Sequence, residues 1–204
     1  MNIDWLPFQN LVSQHQSFVI SSHVKPDADA IGSEIGLALL LEQQGKSARI
    51  INTSATPPNL LFLDPGGRVQ QFGTGDTKAV VSAADVHVIV DTSSWTQLAD
   101  VGQAMKNSSS RRVVIDHHAS SDDLGALAFK DSTREATGSL IVDHQRNLSA
   151  GRFHPPPPCR CLPRSPPIPA GFRFAATTGQ TMRIAGQLID LGLLRPARTV
   201  SGTL

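Results

Sequence analysis

VHVIVDTSSWTQLADVGQAMKNSSSRRVVIDHH, residues 86–118, is the stretch that decides the fold. Val86 to Val90 and Arg111 to Ile115 are β-branched runs almost free of turn residues, and Trp95 to Lys106 between them has helical apolar spacing. Continuous apolar strands joined by a helix point to a parallel sheet buried on both faces. The strands end on polar clusters, Asp91-Thr92-Ser93 and Asp116-His117-His118.

Working outward, the same alternation recurs upstream. Residues 5–15 read as a short amphipathic helix, Phe18 to Ile20 as a strand, Ala30 to Gln44 as a helix and Ala48 to Asn52 as a strand. Gly45 stands where a C-terminal helix cap belongs, and Pro57 to Leu63 suggests a short helical turn. The fold class is therefore α/β, doubly wound, with a mainly parallel sheet. A third polar cluster, His23 to Asp29, follows the first strand. Ligands of such sheets bind beyond the carboxyl ends of the strands, so the three clusters should meet in space.

His23, Asp27 and Asp29 form H-x-x-x-D-x-D, with Pro26 holding the loop open before Asp27. Carboxylates this close are costly unless cations neutralise them, although Asp27 also suits a simple helix N-cap. Asp91 follows the largely apolar run Val86 to Val90 and needs a partner at the end of a buried strand. Mixed carboxylate and imidazole donors suit Mn²⁺ or Mg²⁺, and the clusters contain no thiol. Two such ions about 3.5–4 Å apart can activate water for phosphoryl displacement.

The totals set the frame. The formal charge of the 204 residues is +1, which argues neither for nor against a nucleic-acid partner. No apolar run approaches the length of a membrane span, and the N-terminus lacks a signal-peptide pattern. Two cysteines, Cys159 and Cys161, do not hold the fold, which fits a cytoplasmic location. No stable protein partner is legible; a homodimer is compatible with the sequence.

VKPDADAIGS, VIVDTS and VVIDHHAS, in that order, resemble the first three motifs of the DHH phosphoesterase superfamily. The chain is most similar to the NrnA-like branch over residues 5–145, and again over 172–195. That resemblance implies hydrolysis of short oligoribonucleotides and of 3′-phosphoadenosine 5′-phosphate with two divalent ions, Mn²⁺ first and Mg²⁺ second. It implies His23 and Asp27 on one ion, Asp29 and His117 on the other, and Asp91 bridging both. His118 would face the substrate phosphate as a catalytic residue, with Asp116 orienting the histidines. Arg173 would be a further substrate contact. Glu135 to Gly138 looks like the family's helix-opening segment, where Thr137 and Ser139 face the site or cap the helix.

The pattern breaks near Gln145. Residues 155–169 hold eight prolines, and no Asp or Glu occurs between Asp143 and Asp190. Such a segment builds neither a packed helix nor a central strand, so 146–171 is expected to be a disordered, Pro/Arg-rich insert. The family has a strand here ending in D-T-G-x-F-R-F, whose Asp is the last ligand of the second ion; only Phe172-Arg173-Phe174 matches. Asp143 and His144 are the nearest substitutes, and loss of the strand is expected to expose apolar surface. The division expected is a DHH domain over 1–145, the aberrant segment, and a remnant of the domain end with a linker helix over 172–204. The family's C-terminal substrate-binding domain has no counterpart in these 204 residues. Two alternatives follow: an inactive or metal-binding remnant, and a manganese-dependent inorganic pyrophosphatase. Ala28 and Ala30 argue against the second, which usually carries hydroxyl residues at those positions. Family-like sequence on both flanks suggests two compensating frameshifts. Translating the other two frames across the codons for residues 144–172 should then recover an Asp-Thr-Gly, and its absence from both frames refutes the idea.

Overall fold

The structure, a computed structural model, describes residues 3–149. Six parallel strands form one sheet: β1 (Ser17–Ser21), β2 (Ser47–Asn52), β3 (Val69–Gln71), β4 (Val86–Val90), β5 (Arg111–Asp116) and β6 (Leu127–Lys130). The spatial order is β3-β2-β1-β4-β5-β6. Five α-helices connect or flank them: α1 (Leu6–Gln14), α2 (Ala28–Gln43), α3 (Thr77–Ala83), α4 (Trp95–Lys106) and α5 (Thr137–Ser149). A 3-10 helix spans Pro58–Leu63.

The doubly wound α/β class expected from residues 86–118 is the one observed. β4 lies between β1 and β5, with Val88 in register with Ile20 and Val113, and all five of its residues are buried. Strand residues alternate between two faces, so each face presents its own apolar row. Phe18, Ile20, Val86, Val88, Val90, Val113 and Ile115 pack with residues of α1, α2 and α5. Val19, Ile51, Ile89 and Val114 pack on the other side with residues of α3 and α4. Water is excluded from both faces, which is why these strands carry no polar alternation.

β3, β6 and α3 had no legible signal. β3 and β6 are edge strands of three and four residues, VQQ and LAFK, only partly buried. α3 is only seven residues and contains two adjacent valines. Gly45 follows α2 with φ 76°, the left-handed conformation of a C-terminal cap that glycine adopts without a Cβ penalty. Among the described residues, Leu6, Leu61 and Leu127 are the large apolar side chains that are exposed; the expected loss of a strand falls on residues outside them. The Pro/Arg-rich segment and residues 172–204 lie outside the described residues.

The strand order reverses direction between β1 and β4, so the chain leaves these neighbours toward opposite edges and opens a crevice above them. α4 helps shape that crevice because it is broken at Ala99, whose φ of 46° and ψ of −122° are not helical. The Thr53 hydroxyl donates to the Leu98 carbonyl at 2.6 Å and accepts from the Val101 amide at 3.2 Å, bridging the break. The Gln97 carbonyl accepts a 2.8 Å bond from the Val24 amide, which pins the loop after β1.

At the far flank, α5 docks through an aromatic cluster. Trp5 stacks on Phe129 at 5.1 Å, and the His144 ring lies 4.9 Å from both Trp5 and Phe8. His144 is buried, and neither ring nitrogen has a hydrogen-bond partner among the described residues. Burial therefore holds its pKa down at about 4, against an ordinary 6.5. The unfolded chain takes up a proton at this histidine below pH 6.5 while the folded chain does not until about pH 4. Stability is therefore complete above pH 6.5 and falls across that window, by roughly 3 kcal/mol in total at ~1.4 kcal/mol per pH unit. His144→Phe should remove this component. Urea unfolding at pH 7 and pH 5 is expected to show the wild type losing about 2 kcal/mol more than the variant; equal losses would refute the assignment.

Candidate metal centre

The loops after β1, β4 and β5 bring His23, Asp27, Asp29, Asp91, His117 and His118 together at the reversal point of the sheet. Asp91 is the centre of the group. It is buried, and its φ of 59° lies in the left-handed region, which Asp tolerates better than most side chains. That conformation turns the chain at the end of β4 while the Asp91 amide still donates to the Ile115 carbonyl at 3.1 Å. Its two oxygens face different histidines. Oδ2 is 3.5 Å from His23 Nε2, and Oδ1 is 3.5 Å from His117 Nε2.

Both histidines are held by their other nitrogen. His23 Nδ1 donates to the Val24 carbonyl at 2.9 Å, and His117 Nδ1 to the Arg134 carbonyl at 3.2 Å. A carbonyl can only accept, so each Nδ1 carries the proton and each Nε2 is presented inward as a donor atom. This is the arrangement that fixes metal-binding imidazoles.

Asp27 serves two ends. Its Oδ1 accepts from the Asp29 and Ala30 amides at 2.9 and 3.1 Å, capping α2, so the N-cap reading of this residue is correct. The same side chain stands within ligand distance of the centre: donor atoms of His23, Asp27 and Asp91 lie within 4.8 Å of one another. Asp91, His117 and His118 form a second such trio. Lys25, before Pro26, adopts φ 52°, a left-handed conformation in place of the extended one that a following proline favours.

Asp29 is gripped by the N-terminus of α5. The Thr137 amide donates to Oδ2 at 2.7 Å and the Gly138 amide to Oδ1 at 2.9 Å. Positive partial charge at a helix start favours a carboxylate there. Gly138 eases this approach, since a Cβ at that position would lie a tight 3.3 Å from Asp29 Oδ1. Asp29 Oδ2 is also 3.8 Å from His117 Nε2. The Thr137 hydroxyl donates to Asp91 Oδ1 at 2.9 Å, whereas the Ser139 hydroxyl turns back to the Ala136 carbonyl at 2.8 Å. Of the two hydroxyls considered from sequence, Thr137 thus joins the centre and Ser139 caps the helix.

His118 differs from its neighbour. Its Nδ1 is 2.8 Å from Asp116 Oδ1, which also accepts from the His118 amide at 3.0 Å. Although His118 Nδ1 is also 3.8 Å from Asp91, the shorter contact commits that nitrogen to Asp116. Asp116 is fully buried, and its other oxygen meets Ser93 Oγ and, at 3.0 Å, Lys130 Nζ. Lys130 carried no sequence signal as a site residue; the parallel register sets it opposite Asp116.

This charge arrangement is unbalanced on its own. The hydrogen bond and charge of Asp91 raise His23 to a pKa of about 9, and burial with the nearby Asp91 charge raises Asp29 to about 6. Carboxylates that hold protons near neutrality call for cations. With imidazole and carboxylate donors and no thiolate, the set fits hard or borderline divalent ions.

The model of the DHH family, N-terminal domain, matches residues 17–160. The chain belongs to the DHH family. It is 28% identical over 185 residues to the bifunctional oligoribonuclease and PAP phosphatase NrnA of Thermus thermophilus, covering 85% of this chain and 50% of that protein. With the Bacillus subtilis protein of the same name it shares 23% identity over 195 residues, covering 88% and 54%. The chain thus spans about half the length of the curated relatives it matches. An exopolyphosphatase-related protein from Bacteroides fragilis has the same fold, with a TM-score of 0.76 at 19% identity, covering 93% of this chain and 58% of that one.

Asp143 and His144, the substitutes considered from sequence, are not in the centre. Asp143 pairs with Arg134 and Arg146, and His144 is packed among aromatic rings. Arg173 lies outside the described residues. No helix among the described residues is long and apolar enough to cross a membrane.

The proton held by His23 makes cation binding pH-dependent. Metal-free, the His23–Asp91 pair contributes stability that is full below pH 6.5 and is lost as the pH rises through about 9. A cation taking His23 Nε2 must displace that proton. Apparent Mn²⁺ affinity should then rise about tenfold per pH unit between pH 7 and 8.5, measured by calorimetry in two buffers to count protons. A pH-independent affinity would contradict the arrangement.

Proposed function

We propose that this chain is a metal-dependent phosphoesterase acting on nucleotide phosphate esters, short oligoribonucleotides and 3′-phosphoadenosine 5′-phosphate. The observation that carries the reading is Asp91, a buried carboxylate whose two oxygens face Nε2 of two different histidines. One carboxylate addressing two such positions is what a pair of ions requires. His23 and Asp27 would hold one ion, Asp29 and His117 the other, and Asp91 both, with Mn²⁺ the expected ion and Mg²⁺ the next. Bound there, two divalent ions supply a water made acidic enough to attack and charge to stabilise the phosphoryl oxygens.

The chain's own residues prepare the rest. The backbone carbonyls of Val24 and Arg134 keep His23 and His117 in the tautomer that offers Nε2. The α5 amides fix Asp29 so that its carboxylate does not turn to solvent. His118, half exposed at the rim, is free to meet a substrate phosphate, and Asp116 sets the direction of its ring. The substrate class rests on the NrnA relatives, whose printed names include oligoribonuclease and PAP phosphatase. Residues 1–145 are taken as the catalytic unit, 146–171 as an aberrant segment, and 172–204 as the end of that unit.

The test is manganese-dependent release of phosphate from 3′-phosphoadenosine 5′-phosphate and of mononucleotides from short oligoribonucleotides, with pyrophosphate as the contrast. Hydrolysis of the nucleotides and not of pyrophosphate is expected. Asp91→Asn should lower kcat by more than about 100-fold, since it removes the shared charge. Binding of one ion or none, with no hydrolysis of any of the three, would overturn the proposal in favour of a non-catalytic remnant.

A further inference from the structure

We propose that Lys130 is a positioning residue that fixes the tautomer and direction of the His118 ring, an inference that rests on the phosphoesterase reading for its effect on rate. The parallel pairing of β5 with β6 puts Lys130 opposite Asp116 at the carboxyl ends of both strands. Its ammonium makes three contacts there: Asp116 Oδ2 at 3.0 Å, Ser93 Oγ at 2.8 Å and the Ser120 carbonyl at 2.8 Å. Three acceptors match the three protons of an ammonium, so its direction is set.

The consequence passes through Asp116. That carboxylate has no solvent exposure, so its charge must be met inside the protein. Lys130 and Ser93 take one oxygen, which leaves the other oriented toward the His118 amide and Nδ1. His118 then carries its proton on Nδ1 and turns Nε2 outward on a ring that is half exposed. The Ser120 contact anchors the loop just after His118 to the same ammonium. His117, by contrast, is held by a backbone carbonyl and does not depend on Lys130.

Lys130 therefore acts on one histidine of the adjacent pair, and substitution should separate rate from metal binding. In the full chain, Lys130→Met is expected to lower kcat about 10- to 100-fold. Mn²⁺ affinity should change less than about threefold, and Lys130→Arg should recover part of the rate. Nitrogen NMR of the metal-free protein reads the tautomer directly. His118 should be the Nδ1–H form in the wild type and a mixture in Lys130→Met, with His117 unchanged. An unaltered His118 tautomer, an unaltered kcat, or a parallel loss of metal affinity would each overturn the proposal. Should Lys130→Met not fold, Lys130→Gln, which keeps a donor without the charge, carries the same comparison. A wild-type chain that hydrolyses no phosphate ester removes the functional reading alone, because the NMR comparison still decides what Lys130 does.

Discussion

The Asp91 carboxylate is the constraint around which the rest of the site is arranged. It ends the buried strand β4 in a left-handed backbone conformation and has almost no contact with solvent. A carboxylate so placed needs partners on every side, and it receives His23 from the β1 loop, His117 from the β5 loop and Thr137 from α5. Three segments distant in sequence are thus bound to one side chain. The sheet makes this feasible, because strand order reverses between β1 and β4 and leaves a crevice at their carboxyl ends.

Around that centre, backbone groups do much of the orienting. Carbonyls of Val24 and Arg134 choose the tautomers of His23 and His117, and two amides of α5 hold Asp29. The two amides belong to α5, which packs on the core, while the two carbonyls belong to the loops after β1 and before α5. The break in α4 at Ala99 belongs to the same scheme, since the Gln97 carbonyl two residues earlier is bonded to Val24 beside His23. A non-helical alanine costs of order 1–3 kcal/mol, and Thr53 helps the structure tolerate it.

The electrostatic cost of the assembly is concentrated where function is proposed. His23 holds its proton more tightly than usual because of Asp91, and Asp29 because of its burial and the Asp91 charge beside it. Glu34, fully buried beneath the β1 loop and bonded to Asn52 at 3.0 Å, is likewise pushed up to about 8 by burial. Its Oε1 has no partner among the described residues. A fold selected for stability alone would replace such groups with apolar ones. Their retention at one crevice, beside well-satisfied strands, separates the site from the scaffold.

The apolar runs of β1, β4 and β5 and the polar clusters after them determined the doubly wound sheet and the residues that meet above it. A buried strand must be apolar on both faces, and the first polar residue after it must lie at its end, so both facts are written locally. Edge strands are under no such pressure, which is why β3 and β6 were silent. With β6 went Lys130, whose partner Asp116 is fixed by strand register rather than by spacing in the chain. The amides that hold Asp29 were equally hidden, because any residue supplies an amide and only the docking of α5 aims it. His144 looked like a ligand by composition, yet packing turned it toward Trp5 and Phe8. Residue type and order named the candidate donors; only the tertiary structure decided which atom each one offers, because that depends on hydrogen bonds between elements far apart in sequence.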